Sequence, residues 1–320
     1  MASKYLKNKQ DSRKLLLVLI AVLVFLILLI LDRGGFVNWQ DVTRLTGLND
    51  GVVEQEGKLY AHFINVGQGD CSLIKCGDDT VMIDTGEPDS FNAVKAYLNL
   101  YNVKEIDYLI LTHMHSDHIG SAADIIRKYN VGKVIITKLD EENIPTLYCY
   151  EDLLDVLAEG KCEVYAARTG DSYEVGSFSF DLLGPVLQNA EDLNDTSVIV
   201  KIKYGNFSIL YMGDASSAAE TELLINGTDV SADVIKLGHH GSNSSSCGEF
   251  LNAVRPQAAI ISCGLDNPYG HPGKYTLKRL EARGIKYYRT DISGNITVIS
   301  DTESFTVKEQ GENNYDLVAR

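Results

Sequence analysis

One hydrophobic block differs from all the others in the chain. Residues 15–31 form seventeen apolar residues without a polar interruption. As a helix they would span about 26 Å, close to the hydrocarbon thickness of a bilayer. A helix on a soluble core would show a polar face, and this one has none. Lys4, Lys7, Lys9, Arg13 and Lys14 precede it and Asp32 follows, which puts the N-terminus in the cytoplasm. No small-x-small cleavage site follows the run, so the expected reading is an uncleaved, single-pass anchor with the rest of the chain outside the cytoplasm. The predicted organisation is a basic tail over 1–14, a transmembrane anchor over 15–31, a linker over 32–56, a folded domain over 57–308 and a tail over 309–320.

From residue 58 the pattern changes to short apolar runs of two periods. Alternation predicts strands over 60–66, 71–75, 80–83, 107–111, 133–137 and 163–167. Further strands are predicted over 172–175, 178–183, 197–204 and 207–212, the last two forming a hairpin turned by Gly205-Asn206. Strands over 233–237, 258–262, 286–289, 296–300 and 305–307 complete the set. Helical spacing falls between them, starting at Ser90 with Phe91, Val94 and Leu98 on one face, then over 121–128, 146–157, 218–225, 247–254 and 274–282. Strands and helices interleave to the end, which predicts one α/β domain built on two sheets with helices outside.

Charge sharpens this picture. The net charge is −15, and the first fourteen residues carry five basic side chains against Asp11, so the remainder carries −19. Such acidity opposes broad binding to nucleic-acid backbones. A nucleic-acid substrate would need a local basic patch or bound cations. The six cysteines (71, 76, 149, 162, 247 and 263) have no CxxC spacing. They permit either disulfides in an oxidising compartment or buried free thiols.

The chemistry concentrates in LTHMHSDHIG, residues 111–120. His113 and His115 stand two apart at a strand end and can converge, with Asp117 and His118 in the turn that follows. Imidazole nitrogen and carboxylate oxygen are the donors that zinc and similar ions prefer. A capped surface turn would account for one histidine there, but not for three and an acid. Elsewhere stand Asp84 in MIDTG, Asp214 in ILYMGDA, His239-His240 in KLGHHGS and His271 in NPYGHP. His62 begins a strand and has no predicted role.

HxHxDHxG between a strand and a helix, with Asp84, Asp214 and His239-His240 in that order, resembles the signature of metallo-β-lactamase-fold hydrolases. HFINVGQGDCSLI, NDTSVIVKI, the HHGS stretch and NPYGHP are similar, more narrowly, to the extracellular hydrolase domain of ComEC-type DNA-uptake proteins. The likeness covers residues 60–300 and includes no multi-spanning channel. It implies an αβ/βα four-layer sandwich behind the N-terminal transmembrane helix. It also implies two divalent metal ions, with Zn²⁺ the first expectation and Mn²⁺ the alternative. His113 and His115 would bind the first ion, Asp117, His118 and His240 the second, and Asp214 would bridge both.

Adjacent strand residues face opposite ways, so only one of His239 and His240 is expected to be a ligand. His240 is assigned that role, and His239 the contact to phosphate or leaving group. His271 could join it there, and Asp117 could accept the proton of the attacking water. Asp84 and Asp70 are expected to support the site from behind. The superfamily's usual third histidine for the first ion is missing, since none lies between His118 and His239. Asn194, Asp195 or Ser197 would then complete that ion's shell directly or through water, leaving it more open and more tolerant of Mn²⁺.

The expected activity is metal-dependent phosphodiester hydrolysis, with DNA as substrate and a DNA-uptake channel as partner. Two readings compete with it: a small-substrate phosphoesterase, such as a phosphorylcholine esterase on wall polymers, and a non-catalytic membrane-tethered binding module. The chain alone leaves the oligomeric state open.

Overall fold

The structure, a computed structural model, describes residues 54–187 and 190–310 and the backbone of 316–318. The basic tail, the apolar run at 15–31 and the linker up to residue 53 lie outside the described residues. Among the described residues no helix is long and apolar enough to cross a membrane.

Among the described residues, sixteen strands, β1 to β16 in chain order, build two sheets. The first contains β1 (Leu59–Phe63), β2 (Ser72–Cys76), β3 (Asp79–Ile83), β4 (Glu105–Leu111), β5 (Asn130–Ile136) and β6 (Glu163–Ala166), joined by β14 (Ile296–Ser300), β15 (Phe305–Glu309) and β16 (Asp316–Val318). The second contains β7 (Ser172–Val175), β8 (Phe178–Leu182), β9 (Val200–Tyr204), β10 (Phe207–Tyr211), β11 (Val234–Lys236), β12 (Ala258–Ile261) and β13 (Lys286–Arg289). Their orders are β16-β15-β14-β1-β2-β3-β4-β5-β6 and β13-β12-β11-β10-β9-β8-β7. Strands β3 to β6 run parallel, as do β10 to β13.

Three apolar clusters define four layers. Phe63, Ile74, Val81 and Ile110 of the first sheet meet Phe180, Ile202, Tyr211 and Ile260 of the second in a central core, where the rings of Phe63 and Tyr211 stack at 5.6 Å. Each such side chain contributes about 1.5–3 kcal/mol by leaving water. Helices Phe91–Leu100, Ala122–Lys128 and Tyr148–Ala158 cover the outer face of the first sheet. Helices Ser217–Ile225, Gly248–Val254 and Lys274–Glu281 cover the second. β9 begins three residues later than the apolar run at 197 suggested, because the Ser197 N–H is taken by Asn194 O at 3.2 Å and the Val198 N–H by Thr112 O at 2.8 Å instead of by a neighbouring strand. His62 is a core residue under the first helical layer, its Nδ1 3.1 Å from the Tyr97 hydroxyl and 3.2 Å from Thr297 Oγ1.

Two details depart from the sequence-based expectation. Asp117 and His118 lie in a short helix, Ser116–Ile119, rather than in a plain turn. Within the stretch 309–320, β16 pairs with β15 in antiparallel register. All six cysteines are free thiols.

Candidate metal centre

The parallel strands of both sheets end at the same edge of the sandwich, and loops leaving such ends are the usual place for a site in an α/β fold. The loop after β4 brings His113 Nε2 to 2.9 Å from His115 Nδ1. The following short helix carries Asp117 and the fully buried His118. Gly69 fixes this corner. Its φ is +133°, and an added Cβ would stand 2.4 Å from the Asp117 carbonyl oxygen, which accepts the Asp70 N–H at 3.0 Å. A side chain at 69 would therefore push the Asp117 backbone away from the site.

The second sheet supplies the other wall. Asp214 follows β10, and its N–H donates to Ser197 Oγ at 3.0 Å. Gly213, at φ +53°, lets the chain pass Ser197, whose Oγ would lie 2.9 Å from an added Cβ. His239 and His240 follow β11 on a turn, Gly238–Gly241, in which both have left-handed backbones with φ 49° and 52°. The strand alternation expected to separate their side chains does not apply, because β11 ends at Lys236. The turn still treats them differently. His240 is buried with Nε2 facing the carboxylates, while half-buried His239 lines the open cleft.

Fixed acceptors set the tautomers. Ser262 O can only accept, so His240 Nδ1 donates to it across 3.0 Å and Nε2 carries the lone pair of the neutral ring. His118 Nδ1 lies 2.8 Å from Asp84 Oδ2, leaving its Nε2 free. Thr112 Oγ1 donates to Asp84 Oδ2 at 2.7 Å, and Ser197 Oγ donates to Asn194 O at 2.6 Å. Both hydroxyls can then only accept from His113 Nδ1, at 3.2 and 3.5 Å, so its lone pair is also on Nε2.

The Nε2 atoms of His118 and His240 face the carboxylates. Asp214 Oδ1 stands 3.3 Å from His118 Nε2, and its Oδ2 stands 3.4 Å from His240 Nε2. Asp117 Oδ2 is 3.1 Å from His240 Nε2 and 4.0 Å from His118 Nε2. Ligand atoms held tetrahedrally at about 2.0–2.2 Å from one ion are roughly 3.3–3.6 Å apart, so the donor set fits a divalent metal. His118 Nε2 and Asp214 Oδ1, both buried, have no hydrogen-bond partner.

Asp70, His118, Asp214 and His240 each offer an atom within 4.8 Å of one another. Asp70, however, approaches His240 from the Nδ1 side at 3.5 Å, and its other oxygen accepts from the Lys236 ammonium at 2.7 Å. It braces the imidazole from behind rather than facing the Nε2 cluster. Ser197 also sits behind its histidine, its Oγ 3.5 Å from His113 Nδ1. Asp195 is turned away and accepts the Ser216 N–H at 2.9 Å. Of those three, only Asn194 lines the cleft, and its buried Oδ1 has no partner.

Electrostatics follow from this crowding. Burial would lower the His118 imidazole, but Asp214, Asp84 and Asp117 hold it well above its usual value. His240 is likewise raised against burial, by Asp214, Asp117 and Asp70. Burial would raise Asp214, yet His240 and His118 hold it well below the carboxylate range, and Asp117 is lowered against burial by His118 and His240. His113 is pushed well down by burial and by the neighbouring His118.

The centre opens into a cleft of about 350 Å³. His239, His271 and Asn194 line it, together with Gln68, Glu87, Leu147 and Tyr269, which the sequence reading left unassigned. The His271 ring lies edge-on to His239 at 5.3 Å. Burial with His239 and His240 nearby lowers the His271 imidazole to about 4. Lys236 was also missed. It sits in a run that reads as an ordinary buried strand, and only its pairing with Asp70 gives it a purpose.

A two-sheet αβ/βα sandwich with histidines and carboxylates converging at one strand edge defines a metallo-β-lactamase fold. The chain belongs to the metallo-β-lactamase superfamily, whose profile matches residues 64–265. Its relatives include ComEC-type competence proteins. It is 29% identical over 264 residues to ComE operon protein 3 of Bacillus subtilis (strain 168), covering 76% of this chain and 33% of that protein. It is 30% identical over 275 residues to Competence protein ComA of Neisseria gonorrhoeae, covering 84% and 36%. The chain thus spans about a third of the length of the curated relatives it matches. Among solved structures, Igni18, a metallo hydrolase from the archaeon Ignicoccus hospitalis, superposes with a TM-score of 0.52 at 17% identity, covering 74% of this chain and 98% of that one. At that identity the likeness speaks for the fold.

Proposed function

We propose that the chain is a metal-dependent phosphodiesterase acting on DNA. In this reading residues 15–31 tether it to the membrane, the catalytic domain lies outside the cytoplasm, and it works beside a DNA-uptake channel. The observation that carries the activity is the convergence of His118 Nε2 and His240 Nε2 on the two Asp214 oxygens at an open cleft. The competence proteins among its relatives support the choice of DNA.

His113 and His115 would hold one ion and Asp117, His118 and His240 a second, with Asp214 a ligand shared between them. Bound ions would supply a hydroxide nucleophile at neutral pH and positive charge for the phosphate oxygens. Asp117, kept ionised by its histidine neighbours, accepts the proton of the attacking water. His239 and His271, on the open wall, bind the phosphate or assist the leaving oxygen. Asn194 offers a carbonyl oxygen where the superfamily's third histidine is missing.

The test is metal content and hydrolysis of bis-(p-nitrophenyl) phosphate by the full-length chain, followed by single-stranded DNA, duplex DNA and a phosphorylcholine ester. A chain that holds no metal and cleaves no diester would sink the enzyme reading. Cleavage of the choline ester alone would move the substrate away from DNA.

Two further outcomes are expected. Asp84 anchors Thr112 through N–H and hydroxyl and orients His118, so Asp84→Asn should weaken metal retention about 10- to 100-fold in a chelator competition. His118 and His240, raised without metal, must each release a proton to become ligands. Apparent metal affinity should therefore rise with pH, by up to about a hundredfold per unit while both rings are protonated. Calorimetry in buffers of different ionisation heat reads the released protons, and a flat profile would remove these rings from the ligand set.

A further inference from the structure

The cleft has a second chemical character beyond its histidines and acids. Tyr269 lines it yet is 68% exposed. Its ring lies nearly parallel to that of His271, with centroids 5.8 Å apart and planes 17° apart. The loop beneath is rigid: Asn267 donates to Gly264 O and His271 O and accepts the His271 N–H. The aromatic face is therefore held at the mouth without ligand, one histidine away from the centre. Leu147 adds an apolar side chain to the same lining.

What the lining lacks matters equally. Among the described residues that line this cleft there is no lysine or arginine, so nothing there tracks a phosphate backbone by charge. A polyanion entering an acidic protein then needs another source of affinity. A cleft of about 350 Å³ accommodates roughly one nucleotide. An exposed aromatic face beside a phosphate site matches the way proteins hold single-stranded bases, which depends on stacking and tolerates any sequence.

We infer that Tyr269 is a specificity-determining residue that stacks on the nucleobase next to the scissile phosphodiester, so that the enzyme grips one nucleotide by its base rather than a long backbone by charge. This rests on the phosphodiesterase reading above. It requires an unpaired base at the mouth and gives single strands and frayed ends preference over closed duplex.

The test compares thymidine 5′-(p-nitrophenyl phosphate) with its abasic deoxyribose counterpart, using the full-length chain, Tyr269→Ala and Tyr269→Trp. Wild type should favour the thymidine ester by about ten- to a hundredfold in kcat/KM, mostly through KM. Tyr269→Ala should collapse that ratio toward one, and Tyr269→Trp should retain it. An equal loss on both esters, or an unchanged ratio in Tyr269→Ala, would overturn the inference. Equilibrium binding of thymidine 5′-monophosphate against deoxyribose 5-phosphate separates the two proposals. If wild type cleaves neither ester, the hydrolase reading fails, yet tighter nucleotide binding that vanishes in Tyr269→Ala still supports the platform. Equal binding of both phosphates refutes it.

Discussion

Asp214→Asn is expected to remove diesterase activity by about a thousandfold or more and to leave the protein folded. The residue is 2% exposed and stands between two imidazoles, one oxygen at 3.3 Å from His118 Nε2 and the other at 3.4 Å from His240 Nε2. Asparagine keeps the volume and the N–H bond to Ser197 but loses the negative charge and one of the two acceptors. Its amide hydrogens would point where a cation should sit. Several kcal/mol of charge stabilisation depends on correctly held metal, and each 1.36 kcal/mol is tenfold in rate. Rates on bis-(p-nitrophenyl) phosphate with metal content measured in parallel provide the readout. Full activity in this variant would refute the bridging role, and full metal content with no activity would limit Asp214 to a later step.

Lys236→Met is expected to cost about 3–5 kcal/mol of stability, because it leaves a buried carboxylate without its cation. Lys236 is 2% and Asp70 5% exposed, with Nζ to Oδ2 at 2.7 Å and a second bond to Leu237 O at 2.9 Å. Methionine fills nearly the same space, so loss of packing is a small part of the effect. Burial would raise Asp70, but Lys236 and His240 bring it down to about 2. A depressed carboxylate stabilises the fold above its unfolded value near 4. That contribution is lost as pH falls from about 4 through about 2. Urea denaturation at neutral pH reads the cost. The double variant Asp70→Asn/Lys236→Met should recover part of it, whereas additive losses would show that the pair is not coupled.

How much of this was legible depends on how local the signal is. HxHxDHxG announces its chemistry because all four donors lie within six residues of one loop. Asp214 and the pair His239-His240 gained their roles only through the resemblance to metallo-β-lactamase-fold hydrolases, since two histidines at a strand end read alone as surface residues. Asp70 and Lys236, 166 positions apart, carry no shared signal. An acid in a glycine-rich turn and a lysine in a buried strand each have an ordinary explanation alone. The same holds for Tyr269, which only its parallel stack on His271 and its place at the cleft distinguish from any exposed loop tyrosine.

The sequence by itself determined the alternation of strands and helices, hence an α/β sandwich, and the residue types of the centre, because periodicity and clustered donors are properties of neighbouring positions. Only the tertiary structure decided which nitrogen of each imidazole is free, since the acceptors that fix it (Asp84, Thr112, Ser197 and Ser262) are mostly distant in the chain. It also decided the geometry of His239 and His240. Two consecutive left-handed histidines leave no pattern in a sequence, and what separates a buried donor from a cleft wall there is the packing of one sheet edge against the other.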